Sequence, residues 1–72
     1  MNEYCVDGKA IGERIRQLRG DKSVNTVASA LKISDSTLRM YESGERIPRD
    51  GTKIKLARYF GTTIEELFYS TN

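Results

Sequence analysis

SVNTVASALKISDSTLRMYESG, residues 23–44, reads as two short helices joined by a tight turn. Ser23 suits a helix N-cap, because its hydroxyl can accept from a backbone N–H left free in the first turn. Val27, Ala28 and Leu31 then fall on one helical face. Lys32-Ile33-Ser34 interrupts the run, and Ser34 offers a second N-cap. Leu38 and Tyr41 carry the apolar face onward at helical spacing, and Gly44 suits the left-handed position that ends a helix. Two helices this short cannot each bury a full stripe. They must cross and share one side.

The outer face of the second helix is then free, and it carries Asp35, Ser36, Thr37, Arg39, Met40 and Ser43. Short polar side chains beside an arginine suit the floor of a DNA major groove. Upstream, KAIGERIRQLR (residues 9–19) forms a first helix with Ile11, Ile15 and Leu18 on one face. Gly12 weakens it by about 1 kcal/mol relative to alanine. Residues 1–8, MNEYCVDG, lack helical periodicity and read as a flexible tail, leaving 9–72 as the domain.

Downstream, Glu45 to Pro48 form a loop with Ile47 turned inward. A fourth helix runs from Arg49 or Asp50 to Phe60, with Ile54, Ala57 and Phe60 as its inward positions, and Gly61 ends it. Thr63-Ile64-Glu65-Glu66 is a capping box that opens a fifth helix through Tyr69. Nothing reads as a strand. The fold class is all-α, a bundle of five short helices.

Seventy-two residues make one domain. A chain this short hides only about 60% of its unfolded surface, so self-association would help it. The net charge of +2 argues little for nucleic acid, and placement must carry that case. Arg46, Arg49, Lys53, Lys55 and Arg58 outnumber Glu45 and Asp50 between Gly44 and Phe60. A basic region beside the reading helix is what phosphate contacts require, although it equally describes a solvated helix surface. With no histidine and a single cysteine, Cys5, neither a His/Cys metal site nor an internal disulfide is expected. No cofactor or small-molecule ligand is evident, and the same residue inventory leaves little for an enzyme. No apolar run approaches the ~18 residues of a membrane span, and the expected location is the cytoplasm.

Five short helices with this crossed pair at positions two and three resemble the phage repressor/Cro type of helix-turn-helix protein. The resemblance covers about residues 10–69. Its motif falls on Val24 to Ser43, with the apolar positions at Val27, Leu31, Ile33, Leu38 and Tyr41 and the small residue at Ala28. The stretch MYESGERIPRDGTKIKLARYFGTTIEELF (residues 40–68) is similar to small regulators of this type from mobile elements. The resemblance implies a lambda repressor-like domain acting as a sequence-specific transcriptional regulator. It would be a repressor that binds a palindromic operator in double-stranded DNA as a homodimer.

Restriction–modification controller proteins are an alternative within the class. A protein-binding module, such as an antitoxin or antirepressor component, is an alternative outside it. Asp35, Val24 and the modest net charge favour that last reading, whereas Ser36, Arg39 and the Arg46/Arg49 pair oppose it.

The resemblance also distributes roles. Lys32 occupies a turn position where glycine is common. Val24 replaces a glutamine that touches phosphate, so Asn25 or the Ser23 hydroxyl would take over that contact. Asp35 stands where glutamine is frequent and can accept from cytosine N4, while Met40 offers only apolar contact, as to a thymine methyl. Ser36 and Thr37 bond base edges or phosphate, or else cap their own helix. Arg39 chelates guanine O6/N7, or pairs with Asp35 on the surface. Ser43, Arg46, Arg49 and Lys53 are the further phosphate candidates. Arg19 and Glu42 form a structural ion pair that sets the angle of the reading helix. At the C-terminal end, one of Phe68 and Tyr69 projects outward as a dimer contact, unless both rings fold onto the core.

Overall fold

The computed structural model describes residues 7–69. Helix α1 (Gly8–Arg19) begins where the Asp7 carboxylate accepts from the Lys9 and Ala10 N–H groups at 3.0 and 3.3 Å. Asp7 and Gly8, assigned to the tail from the sequence, are therefore the cap and first residue of α1. The remainder of that segment, residues 1–6, lies outside the described residues. Helix α2 (Val24–Leu31) is capped by Ser23 and ends on Lys32. Lys32 takes φ 60°, the left-handed turn position that usually favours glycine. Ile33 donates its N–H to the Ala28 carbonyl at 3.0 Å, which closes the helix end.

Helix α3 (Asp35–Ser43) is capped by Ser34 and stopped by Gly44 at φ 87°. Helix α4 (Asp50–Phe60) follows Pro48 and ends at Gly61. Helix α5 (Ile64–Phe68) is capped by Thr63, whose hydroxyl accepts from the Glu66 N–H at 3.0 Å. The Glu66 carboxylate answers by accepting from the Thr62 hydroxyl at 2.9 Å. No strand occurs among the described residues.

The core joins Ile11 and Ile15 of α1, Val27, Ala28 and Leu31 of α2, and Leu38 and Tyr41 of α3 to Leu56, Leu67 and Phe68. Three inward assignments made from the sequence differ in the structure. Leu18 is half exposed, because the five-residue α5 covers the last turn of α1 only in part. Ile47 is exposed and leans toward Gly8, while Pro48 fills the buried loop position.

On α4 the buried residues are Lys53, Leu56 and Ala57, whereas Ile54 is exposed and Phe60 is partly buried. At about 100° per residue, positions 53, 56, 57 and 60 form one narrow stripe, and position 54 falls to its flank. A lysine on that stripe conceals it from hydrophobic periodicity.

Helices α1 and α3 meet backbone against backbone at Gly12. A Cβ at Gly12 would lie 2.3 Å from the Glu42 carbonyl oxygen and 2.6 Å from that of Tyr41. Gly12 thus lets α1 lie directly on the C-terminal turn of α3. Its helix-weakening backbone is what that approach requires.

Candidate nucleic-acid interface

Helix α3 is fixed from its inner side. Leu38 and Tyr41 are buried, and Glu42 is gripped by Arg19. Arg19 Nε donates to Glu42 Oε2 at 2.6 Å, and its Nη2 donates to Oε1 at 3.0 Å. The third guanidinium nitrogen donates to the Lys22 carbonyl at 2.7 Å, which ties the α1–α2 turn into the same joint. The hydrogen bond to Glu42, aided by its charge and opposed by burial, raises the Arg19 pKa above its ordinary value. Both side chains are largely buried, so this pair is a rigid fork rather than a loose surface pairing.

The outer face of α3 stays open. Arg39 and Ser36 are exposed, and Met40 is half-buried. Arg39 forms no ion pair with Asp35 among the described residues. The Asp35 carboxylate instead accepts from Asn25 Nδ2 at 3.3 Å, which clamps the start of α2 to the start of α3. Asn25, a phosphate candidate, and Asp35, a base-reading candidate, are thus brought together as one hydrogen-bonded unit.

Thr37 belongs to the helix cap. Its N–H donates to Ser34 Oγ at 3.1 Å, and that hydroxyl donates to Thr37 Oγ1 at 2.8 Å. The Ser34 and Ser36 hydroxyls lie 3.4 Å apart.

Two phosphate candidates have their hydroxyl protons engaged within the chain. Ser23 donates to Thr26 Oγ1 at 2.9 Å while accepting the Thr26 N–H. Ser43 donates to the Met40 carbonyl at 3.1 Å. Arg46 and Arg49 are exposed in the loop between α3 and α4. The Arg46 N–H donates to the Met40 carbonyl at 3.2 Å, folding that loop back along α3, and buried Pro48 anchors its far end.

Lys53 is corrected by the structure. It is 9% exposed, and its ammonium points into the α4–α5 junction. It donates to the Tyr69 hydroxyl at 2.7 Å and lies 5.3 and 5.0 Å from the ring centroids of Phe68 and Tyr69. Two aromatic faces, a phenol oxygen and the Asp50 carboxylate at 3.9 Å surround this cation, so it lacks the exposed position expected of a phosphate contact. Phe68 is also corrected as a dimer contact, because it is 3% exposed and packs in the core. Tyr69 is the ring that projects, at 39% exposed, and Ile54 is similarly exposed on α4.

An open cleft of about 250 Å³ lies beside α3, lined by Arg16, Arg19, Val24, Arg39, Glu42 and Ser43. Arg16 was not among the candidates drawn from the sequence. The signal was present in RIRQLR, because residues three apart on a helix share a side, and Arg16 stands beside Arg19. No cluster of metal-ligating side chains occurs among the described residues, and no described helix is long and apolar enough to cross a membrane.

Comparison with known proteins agrees with this architecture. The helix-turn-helix family model matches residues 13–67. The crystal structure of the restriction-modification controller protein C.AhdI from Aeromonas hydrophila superposes with a TM-score of 0.77 at 31% sequence identity. The match covers 86% of this chain and 97% of that one. No curated protein gives a significant sequence match.

Proposed function

The chain belongs to the Cro/C1-type helix-turn-helix family, and from that premise we propose that it represses transcription as a homodimer on a palindromic operator. Members of this family are DNA-binding transcription regulators, not enzymes. The observation that carries the proposal is the two-sidedness of α3. Its inner side is locked by Gly12 and by the Arg19–Glu42 fork, while Ser36 and Arg39 stand uncovered on the other.

In this reading α3 enters the major groove. Arg39 reads guanine through a bidentate contact, and Ser36 bonds a base edge or a phosphate. Asn25 holds Asp35 so that its second carboxylate oxygen accepts from a cytosine amino group. Thr37 acts mainly through the cap, and Met40 supplies apolar contact. Arg46 and Arg49 lie along the sugar–phosphate backbone. Two copies would place their reading helices one helical turn apart, about 34–36 Å. Exposed Tyr69 and Ile54 supply the apolar surface through which they meet.

A second reading, a restriction–modification controller, is favoured by the likeness to C.AhdI. It uses the same contacts and differs in which promoter is occupied.

The test is titration with duplex DNA at several salt concentrations. One duplex is taken from upstream of the protein's own coding sequence, and the other is its scrambled counterpart. Affinity should fall steeply as salt rises, by ~0.9 in log–log slope per phosphate contacted. The upstream duplex should bind more tightly, and Arg39→Ala should remove about 1–3 kcal/mol of that preference. Binding indifferent to salt, or a preference untouched by Arg39→Ala, refutes the assignment.

A further inference from the structure

We propose that the cleft between α1 and α3 is a phosphate seat and that Arg16 is its principal cation. The inference deepens the DNA-binding reading above and rests on it. Arg39 stands on the outward face of α3 and also on the rim of this cleft, so the cleft opens toward the side that meets the groove.

The charges inside it are distributed unevenly. Both Glu42 carboxylate oxygens accept from Arg19, so the floor is an almost neutral pair. The remaining Arg19 nitrogen serves the Lys22 carbonyl. Arg16 is exposed and forms no ion pair among the described residues, which leaves it as the available cation on the α1 wall.

Val24 adds a second argument. It is the first residue of α2 and lines the same cleft, but its side chain has no donor. Ser23, next to it, already donates its hydroxyl hydrogen bond to Thr26 Oγ1. Neither side chain therefore offers a donor to an anion at this point, and a cation from outside α2 supplies the charge that the backbone N–H groups at the helix start lack. Arg16 meets that need from α1, with its planar fork of donors matched to phosphate oxygens. When Arg39 is committed to a base, Arg16 is the cation that holds the phosphate in this cleft. It contributes affinity that is independent of sequence.

The experiment measures binding of a mixed-sequence duplex to the full chain by fluorescence anisotropy, across a fourfold range of salt. Arg16→Gln should flatten the log–log salt slope by ~0.9, so that the wild-type advantage shrinks ~3.5-fold over that range. Its preference for the upstream duplex over the scrambled one should stay unchanged, and Arg16→Lys should restore most of the slope. Arg58→Gln, an equal charge loss on exposed α4 surface, should leave the slope as it is.

An unchanged melting curve for Arg16→Gln excludes a folding defect. A wild-type slope in Arg16→Gln, or an equal loss in Arg58→Gln, overturns the seat while leaving DNA binding intact. Absence of any salt-dependent binding by the wild type would instead overturn the DNA-binding reading, and the seat with it.

Discussion

Replacing Gly12 with alanine sets two effects of opposite sign against each other. Alanine is favoured over glycine inside a helix by about 1 kcal/mol, so an isolated α1 would gain. In the folded protein the new methyl group would lie 2.3 and 2.6 Å from the carbonyl oxygens of Glu42 and Tyr41. Those atoms belong to backbone and cannot rotate away. Helices α1 and α3 must separate by roughly 1 Å to restore ordinary contact distances of about 3.5 Å.

Overpacking of this kind costs about 1–3 kcal/mol, with the larger values where nothing can yield. Separation also stretches the 2.6 Å Arg19–Glu42 contact and loosens Ile11 and Ile15 against Leu38 and Tyr41. The expected net loss after the propensity gain is about 2 kcal/mol or more, or ~10 °C or more in Tm for a domain this small.

Urea and thermal unfolding followed by circular dichroism measure the loss. Gly51→Ala is the matched control, because Gly51 is helical and a Cβ there meets nothing within 4 Å. It should gain up to about 1 kcal/mol. A Gly12→Ala variant as stable as wild type would refute the claim that backbone contact sets the α1–α3 spacing.

Glu42→Ala should cost about 3 kcal/mol, at the lower end for breaking a buried pair, because it strands the Arg19 charge; equal urea midpoints for variant and wild type would rule this out. Lys53→Met should leave the salt slope of DNA binding unchanged, since the ammonium is spent on Tyr69 and two rings; a slope flattened by ~0.9 would return Lys53 to the phosphate backbone. Ile54→Ser should weaken self-association in sedimentation at micromolar concentration without altering the melting of the monomer, because Ile54 is exposed; an unaltered dimer would place the contact elsewhere.

Much of this protein is legible from local chemistry. Ser23, Ser34 and Thr63 each cap a helix, as their positions before apolar runs imply. Gly44 and Gly61 end helices in the left-handed conformation. Val27, Ala28, Leu31, Leu38 and Tyr41 form the shared face of the crossed pair. Such features depend on neighbours within a turn or two along the chain, and propensity and periodicity report those neighbours directly.

What failed to show depends on contacts distant in sequence. Lys53 looks like a surface cation until α5 brings two aromatic rings over it. Gly12 looks like a weak spot in a helix until the carbonyls of α3 arrive against it. Phe68 and Tyr69 are adjacent, and only the docking of α5 decides which one enters the core. Arg16 comes to line a common cleft with Arg39 only when α1 and α3 are laid together.

The amino-acid order by itself determined five helices, most of their ends and the pairing of the second with the third, because hydrogen bonding and apolar spacing act over a few residues. Tertiary structure decided which charges are spent inside and which are free to meet an anion. An ion's surroundings are set by whatever packs around it, and the chain supplies those neighbours from far along its length.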